Sequence, residues 1–106
     1  MGFRRHNLAP PVKKDGQFIY PASELDANIR TKLVFKVLLD FEGKVRRAEL
    51  QNPSESEFIN QEARRAVEQT EFDMVRVPPH LYNTFFIYEL TVIPPISDPN
   101  APPAVN

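Results

Sequence analysis

The sequence predicts an α+β fold in which two helices pack on one face of a three-stranded, mainly antiparallel sheet. Three patterns carry this prediction: apolar residues alternate in residues 32–40, they recur at helical spacing after Ser56, and residues 84–93 are rich in aromatic and β-branched side chains. The predicted order is helix, strand, strand, helix, strand. A chain of 106 residues is long enough for one domain.

Prolines set the expected limits of the folded domain. Eleven prolines occur, and most of them lie near the two ends of the chain. Proline lacks a backbone donor and disfavours helix in the residue before it. We therefore expect a flexible spacer at residues 1–16, a folded domain at residues 17–94 and a Pro-rich tail at residues 95–106.

The first predicted helix covers residues 22–30. Pro21 suits the start of a helix, where its missing N–H has no intrahelical partner, and Leu25 and Ile29 are four residues apart on one face. The first strand follows at residues 32–40. Its alternation predicts that one face is buried, consisting of Leu33, Phe35, Val37 and Leu39.

A hairpin and a second helix come next. Residues 41–44 form the predicted turn, in which Gly43 supplies a positive φ, and residues 45–50 form the return strand. Either Ser54 or Ser56 is placed to cap the helix, which we expect to run to about Glu71. The predicted buried stripe of this helix consists of Ile59, Ala63, Ala66, Val67 and Thr70.

Residues 84–93 form the last predicted strand. Its sequence lacks the lysines and internal prolines that usually protect an edge strand from pairing. We expect Phe86, Leu90 and Val92 to face the core, and a second set to line the opposite face: Phe85, Ile87, Thr91 and Ile93. Such a strand is either covered by another segment or used for pairing.

Composition and motifs argue against several functions. The formal net charge is −1 and no cysteine is present, so neither nucleic-acid binding nor thiolate chemistry is expected. No apolar run approaches the roughly 18 residues of a membrane span, and the N-terminus lacks the apolar core of a signal peptide. His6 and His80 are too few and too far apart to form a metal site. Three glycines are too few for a phosphate-binding loop or a dinucleotide-binding fingerprint. We expect no catalytic residue, cofactor or metal.

Several motifs together resemble the C-terminal domain of the TonB family. They are Tyr20-Pro21 before the first helix, FKVLLDFEGKV at residues 35–45, EARRAV at residues 62–67, and Phe72 after the helix. The chain departs from the family pattern in having Thr31 where a glycine commonly opens the first strand. Two further departures are Thr70, where an aromatic is common, and Met74, where a proline is usual.

The resemblance implies a periplasmic domain of an inner-membrane energy transducer. In this family the domain binds the TonB box, a short extended peptide of TonB-dependent outer-membrane receptors. The anchored protein works with ExbB and ExbD, which convert the proton-motive force into motion for uptake of iron–siderophores, haem or cobalamin. The anchor helix is absent from this sequence, so we expect an excised periplasmic domain that is a monomer or weak dimer.

The expected receptor-binding residues come from two places. The resemblance assigns receptor contact to the segment before the Tyr-Pro pair, which here is Gln17, Phe18, Ile19 and Tyr20. Strand addition to the last strand would use Thr84, Phe85, Ile87, Glu89 and Thr91. Ordinary packing of Ile19 and Tyr20 on the sheet, and burial of Phe85 and Ile87 beneath a loop or tail, are the alternatives.

Other function classes remain open at this point. One is a periplasmic pulling domain of the TolA type, with a similar small fold and no transporter role. Another is an assembly module that dimerises through the last strand. A small hydrolase is the least favoured reading, because it would need a serine, His80 and a carboxylate brought together in space.

Overall fold

The computed structural model describes residues 7–95. Residues 1–6 of the predicted spacer, including His6, lie outside the described residues, and so does the predicted tail apart from Pro95. The strands are β1 (Asn7–Leu8), β2 (Val12–Lys14), β3 (Thr31–Leu39), β4 (Val45–Leu50), β5 (Glu71–Phe72) and β6 (Thr84–Val92). One α-helix, α1 (Glu57–Glu68), and two 3₁₀ turns, Ala22–Glu24 and Pro79–Leu81, complete the described elements.

The strands form two sheets. Four of them make a mixed sheet in the order β1-β6-β3-β4, and β2 pairs with β5 in a separate antiparallel ribbon. Strand β3 is antiparallel to both of its neighbours, whereas β1 runs parallel to β6. Residues 7–16, which were predicted to be part of a flexible spacer, thus contribute β1 and β2.

The predicted fold class is wrong in its counts of helices and strands. The described residues contain one α-helix and six strands, where the sequence predicts two helices and three strands. Strands β1, β2 and β5 have two or three residues each, which is too short to show a period-two pattern. Pro10-Pro11 also suggested a spacer where the chain in fact forms strands on both sides.

The predicted helix at residues 22–30 is a series of tight turns. The N–H of Leu25 donates to the carbonyl of Ala22, and the N–H of Asn28 donates to the carbonyl of Leu25. These are three-residue spacings of a 3₁₀ type, and Asn28 ends the series with a φ of 52°. A short stretch with an aspartate and an asparagine has too little helix propensity to persist without a buried face.

The core lies between the four-stranded sheet and α1, as the alternation predicts. The predicted inward face of β3 is fully buried, and Ile59, Ala63 and Val67 of α1 belong to the same core cluster. Ala66 and Thr70, the other two residues of the predicted stripe, are also buried, but Thr70 lies beyond the end of the helix. From β6, Phe86 and Val92 are buried and Leu90 packs against the core. The fully buried side chains of largest volume are Phe35, Phe72 and Phe86.

The β3–β4 hairpin is built around Asp40 and Gly43. The Asp40 carboxylate accepts the N–H groups of Glu42 and Lys44, at 2.9 and 3.0 Å. Gly43 has a φ of 83°, and a Cβ placed there would lie 1.9 Å from the carbonyl oxygen of Phe72. The glycine is therefore required both by the turn and by the close approach of β5.

Helix α1 begins at a serine cap. Ser56 accepts the N–H of Ile59 at 3.1 Å, so Ser56, and not Ser54, is the N-cap. The helix ends at Glu68, three residues earlier than predicted. Beyond its end, the Thr70 hydroxyl donates to the carbonyl of Ala66 and accepts the N–H of Gly16, which attaches the N-terminal segment to the helix. No helix within residues 7–95 has the length and apolar content needed to span a bilayer.

Candidate functional site

The outer edge of β6 is the side of this strand that faces away from β3. The N–H of Ala9 donates to the carbonyl of Ile87 at 2.8 Å, so the backbone of Ile87 points to the outer edge. Backbone groups alternate in direction along a strand. The backbone groups of Phe85, Glu89 and Thr91 therefore point outward as well.

Strand β1 covers only the first part of this outer edge. Its two residues pair with Phe86 and Ile87 in parallel register. After Ala9 the chain continues as Pro10-Pro11, which have no N–H groups to donate to a ladder. The chain then turns away from β6, and the carbonyl of Pro11 accepts the N–H of Asp73 at 2.8 Å.

The second part of the outer edge has no neighbouring strand within residues 7–95. Strand β6 continues through Glu89 and Thr91 to Val92, but the register of β1 ends at Ile87. On its inner edge, by contrast, β6 pairs with β3 over all nine residues. We call Glu89–Thr91 with its outward backbone groups the open edge.

Strand β1 is lightly packed where it covers β6. Leu8 leaves 78% of its surface exposed. Beneath the strand, an apolar cavity of about 310 Å³ separates it from the loop that follows β5. Residues of that loop lining the cavity include Val75, Val77 and Leu81. Because β1 buries so little apolar surface, its hold on β6 depends largely on backbone hydrogen bonds.

The face of the sheet opposite α1 carries the other side chains of β6. Val34 pairs with Glu89, and Lys36 pairs with Ile87, so these side chains share that face. The Lys36 ammonium lies 4.9 Å from the centroid of the Phe85 ring, a cation–π distance. Phe85 and Ile87 are half-buried by such neighbours, whereas Glu89 and Thr91 are exposed.

The other predicted group, Gln17 to Tyr20, lies against α1. The carbonyl of Gln17 accepts a hydrogen bond from the Arg65 guanidinium at 2.8 Å, and the N–H of Ile19 donates to the Glu62 carboxylate at 2.9 Å. The hydrogen bond from Arg65 is the main cause that lowers the pKa of Glu62, and the Ile19 N–H adds to it against an opposing effect of burial. Two backbone contacts thus hold this segment along the helix.

The aromatic residues of this segment are partly buried. The Tyr20 hydroxyl donates to the carbonyl of Ile29 at 3.0 Å, and the rings of Phe18 and Tyr20 meet edge to face with centroids 6.2 Å apart. Both rings pack against the core, while Ile19 is 65% exposed. The alternative from sequence was packing of Ile19 and Tyr20 on the sheet; Tyr20 does pack against the core, whereas Ile19 does not.

The structure therefore places the two predicted groups in different layers. Gln17 to Tyr20 lie on the helix side, and the outward-facing residues of β6 present their side chains on the opposite face. Thr84 closes the preceding turn, where its hydroxyl donates to the carbonyl of Leu81 at 2.6 Å. Of the predicted β6 positions, Glu89 and Thr91 have both an exposed side chain and an uncovered outward backbone.

Sequence reasoning missed the residues that divide the edge, namely Leu8, Ala9 and Pro10. The only signal available was the Pro10-Pro11 pair, which marks the point where pairing stops. Within the described residues, no three histidine, aspartate or glutamate side chains are grouped so that they could hold a metal ion.

Comparisons with family models, with curated proteins and with solved structures give no match to this chain. The resemblance to the TonB family therefore depends on the motifs quoted above alone.

Proposed function

We propose that this protein binds an extended segment of a partner protein by strand addition at the open edge. The observation that supports this is the unpaired run of β6 beyond Ile87, which carries outward N–H and C=O groups at Glu89 and Thr91. Exposed groups of this kind form a template for another strand.

The magnitudes favour a weak, transient complex. Two outward residues offer about four backbone hydrogen bonds, each worth about 0.5–1.5 kcal/mol net. Their sum of about 2–6 kcal/mol reaches only the lower end of the roughly 4–15 kcal/mol that association costs. Side-chain contacts on the sheet face opposite α1 must supply the remainder, or the ligand must displace β1 and also pair with Phe85 and Ile87.

The proposed partner is the TonB box of an outer-membrane receptor. The motifs around Tyr20-Pro21 and the β3–β4 hairpin support this choice, as does a binding mode that reads mainly backbone. On this proposal the chain is the periplasmic part of an energy transducer. ExbB and ExbD act on it through a membrane anchor, and the cargo is an iron–siderophore, haem or cobalamin.

The first test is a titration followed by backbone amide shifts. A TonB-box peptide is added to ¹⁵N-labelled protein, and we expect the largest shifts at Glu89 and Thr91. Shifts confined to the hairpin at residues 41–44 would contradict the proposal. Shifts at the open edge that depend on protein concentration without peptide would instead identify self-pairing, which sedimentation at several concentrations would verify.

A proline substitution gives the second test. Thr91→Pro removes one outward N–H while leaving the β3 ladder, which uses the neighbouring residues, in place. Thr91→Ala keeps that N–H and is the matched control. We expect peptide affinity to fall about two- to tenfold in Thr91→Pro, as for the loss of one hydrogen bond, and to stay unchanged in Thr91→Ala. Unchanged affinity in a folded Thr91→Pro variant would remove Thr91 from the binding ladder.

A further inference from the structure

The geometry points to a specific chemistry for the bound segment: we infer that it carries a lysine or arginine at the position directly across from Glu89. This inference rests on the proposed function, because it names the partner class of the same edge. It concerns the one charged side chain among the outward-facing residues of β6.

Glu89 stands where the open edge begins. Its backbone faces outward, and its side chain is exposed on the sheet face opposite α1. On one side it has Val34 as its cross-strand partner. On the other side no strand of the described chain lies beside it, so an added strand would place a side chain at that position.

The Glu89 carboxylate has no cationic partner within the described chain. The three ion pairs found among residues 7–95 involve other carboxylates, so no lysine or arginine nitrogen lies within 4.0 Å of it. Lys32 and Lys36 flank it only diagonally on β3. The Lys36 ammonium is directed over the Phe85 ring.

Directly opposed residues on neighbouring strands interact strongly enough to select a partner. Their Cβ atoms are about 4.5–5.5 Å apart, and opposite charges at that distance are favourable whereas like charges are unfavourable. Glu89 therefore favours a basic side chain on the added strand and disfavours an acidic one. The same carboxylate opposes pairing with strands of the wrong charge, which gives selectivity to an edge that otherwise reads only backbone.

The test uses three peptides that differ at one position. Each is a capped seven-residue peptide of alternating threonine and valine, with lysine, glutamine or glutamate at the centre. They are titrated against the wild-type protein, Glu89→Gln and Glu89→Lys, and binding is followed by the Thr91 amide shift. Thermal melts establish that each variant is folded.

We expect the wild type to bind the lysine peptide about two- to fivefold more tightly than the glutamine peptide, and the glutamate peptide more weakly by a similar factor. Glu89→Lys should reverse this order, and Glu89→Gln should remove it. Added salt should reduce the differences because the pair is exposed.

The outcomes separate this inference from the proposed function. Equal binding of all three peptides to wild type, with shifts at the open edge, would overturn the inference and leave strand addition standing. An unchanged order of peptides in Glu89→Lys would overturn it as well. Absence of shifts at Glu89 and Thr91 with every peptide, the TonB-box peptide included, would overturn strand addition and the inference together.

Discussion

Strands β3 and β6 have the same length, nine residues, and differ in what lies beside them. Strand β3 is flanked by β4 on one side and by β6 on the other. Strand β6 has β3 along its whole inner edge but only two residues of β1 on its outer edge. Strand β3 thus has a strand on each side, whereas β6 keeps backbone groups available on its outer edge.

The difference arises from the connections and not from the strands themselves. Strand β3 gains β4 through a tight hairpin that Asp40 and Gly43 fix locally. The outer neighbour of β6 comes from the opposite end of the chain and makes few contacts. Sequence separation alone does not shorten a ladder, since β3 and β6 are also distant in the chain and pair over nine residues. Strand β1 stays short because it buries little apolar surface for each residue it orders, and because Pro10-Pro11 follow it.

The largest expected effect lies on the enclosed strand. Phe35 is fully buried, and Phe35→Ala should lower the free energy of unfolding by about 3–5 kcal/mol because it opens a cavity in the core. Val34→Ala, on the opposite face of the same strand, is the matched control and should cost about 1 kcal/mol or less. Urea denaturation measures both. Similar losses in the two variants would mean that the faces of β3 are not distinct.

The next effect concerns the partial neighbour of β6. Ala9→Pro deletes the N–H that binds the carbonyl of Ile87, at a cost of about 1 kcal/mol. We expect faster hydrogen exchange of the Ile87 amide and tighter binding of added peptides, because more of the outer edge becomes available. Ala9→Ser keeps the donor and is the control. Equal Ile87 exchange rates in both variants would argue that β1 is not held by this bond.

The smallest effect is at the other end of the N-terminal segment, where Ile19 binds Glu62. The pKa of Glu62 is lowered below its ordinary value of 4.5, chiefly by the hydrogen bond from Arg65. Its contribution to stability is therefore complete above about pH 4.5 and is lost as the pH falls through the lower folded pKa. The Ile19 amide shift should follow this titration.

Glu62→Gln supplies the control for that experiment. Glutamine keeps an acceptor for the Ile19 N–H but has no charge to titrate, so the amide shift of Ile19 should stay flat over the same acid range. A titrating Ile19 amide in Glu62→Gln would assign the pH response to another group. Persistence of the wild-type shift through protonation would show that the segment does not depend on this carboxylate.

The elements that could be predicted from sequence are those that bury a continuous face against the core. Alternation in β3 and helical spacing in α1 come from burial against a continuous core, so residues such as Phe35 and Ile59 could be placed from sequence. Strands β1, β2 and β5 depend on tertiary pairing of two or three residues, which leaves no periodic signal. The tight turns around Asn28 replaced a predicted helix for a different reason, since the helix propensity of residues 22–30 was too weak to persist without a buried face.

The candidate site was predictable only in part. The aromatic and β-branched composition of residues 84–93 indicated a strand suited to pairing, and β6 occupies Thr84–Val92. Which part of its edge is covered could not be predicted, because that depends on where the N-terminal chain returns. Gln17 to Tyr20 illustrate the opposite case, since their contacts with Glu62 and Arg65 require knowledge of how the segment lies on the helix.

Pro11 has a consequence beyond ending a short strand. A segment tethered to the same domain has a high effective concentration, so it would outcompete a free ligand wherever it could form the same bonds. The N–H of Ala9 points to β6, so the next donor on that side would be the N–H of residue 11, which Pro11 lacks. The N-terminal chain therefore cannot extend this ladder to the carbonyl of Glu89, and it leaves Glu89 and Thr91 to a ligand. One proline without an N–H thus limits how much of the outer edge of β6 the chain itself can cover, and the rest stays available to a ligand.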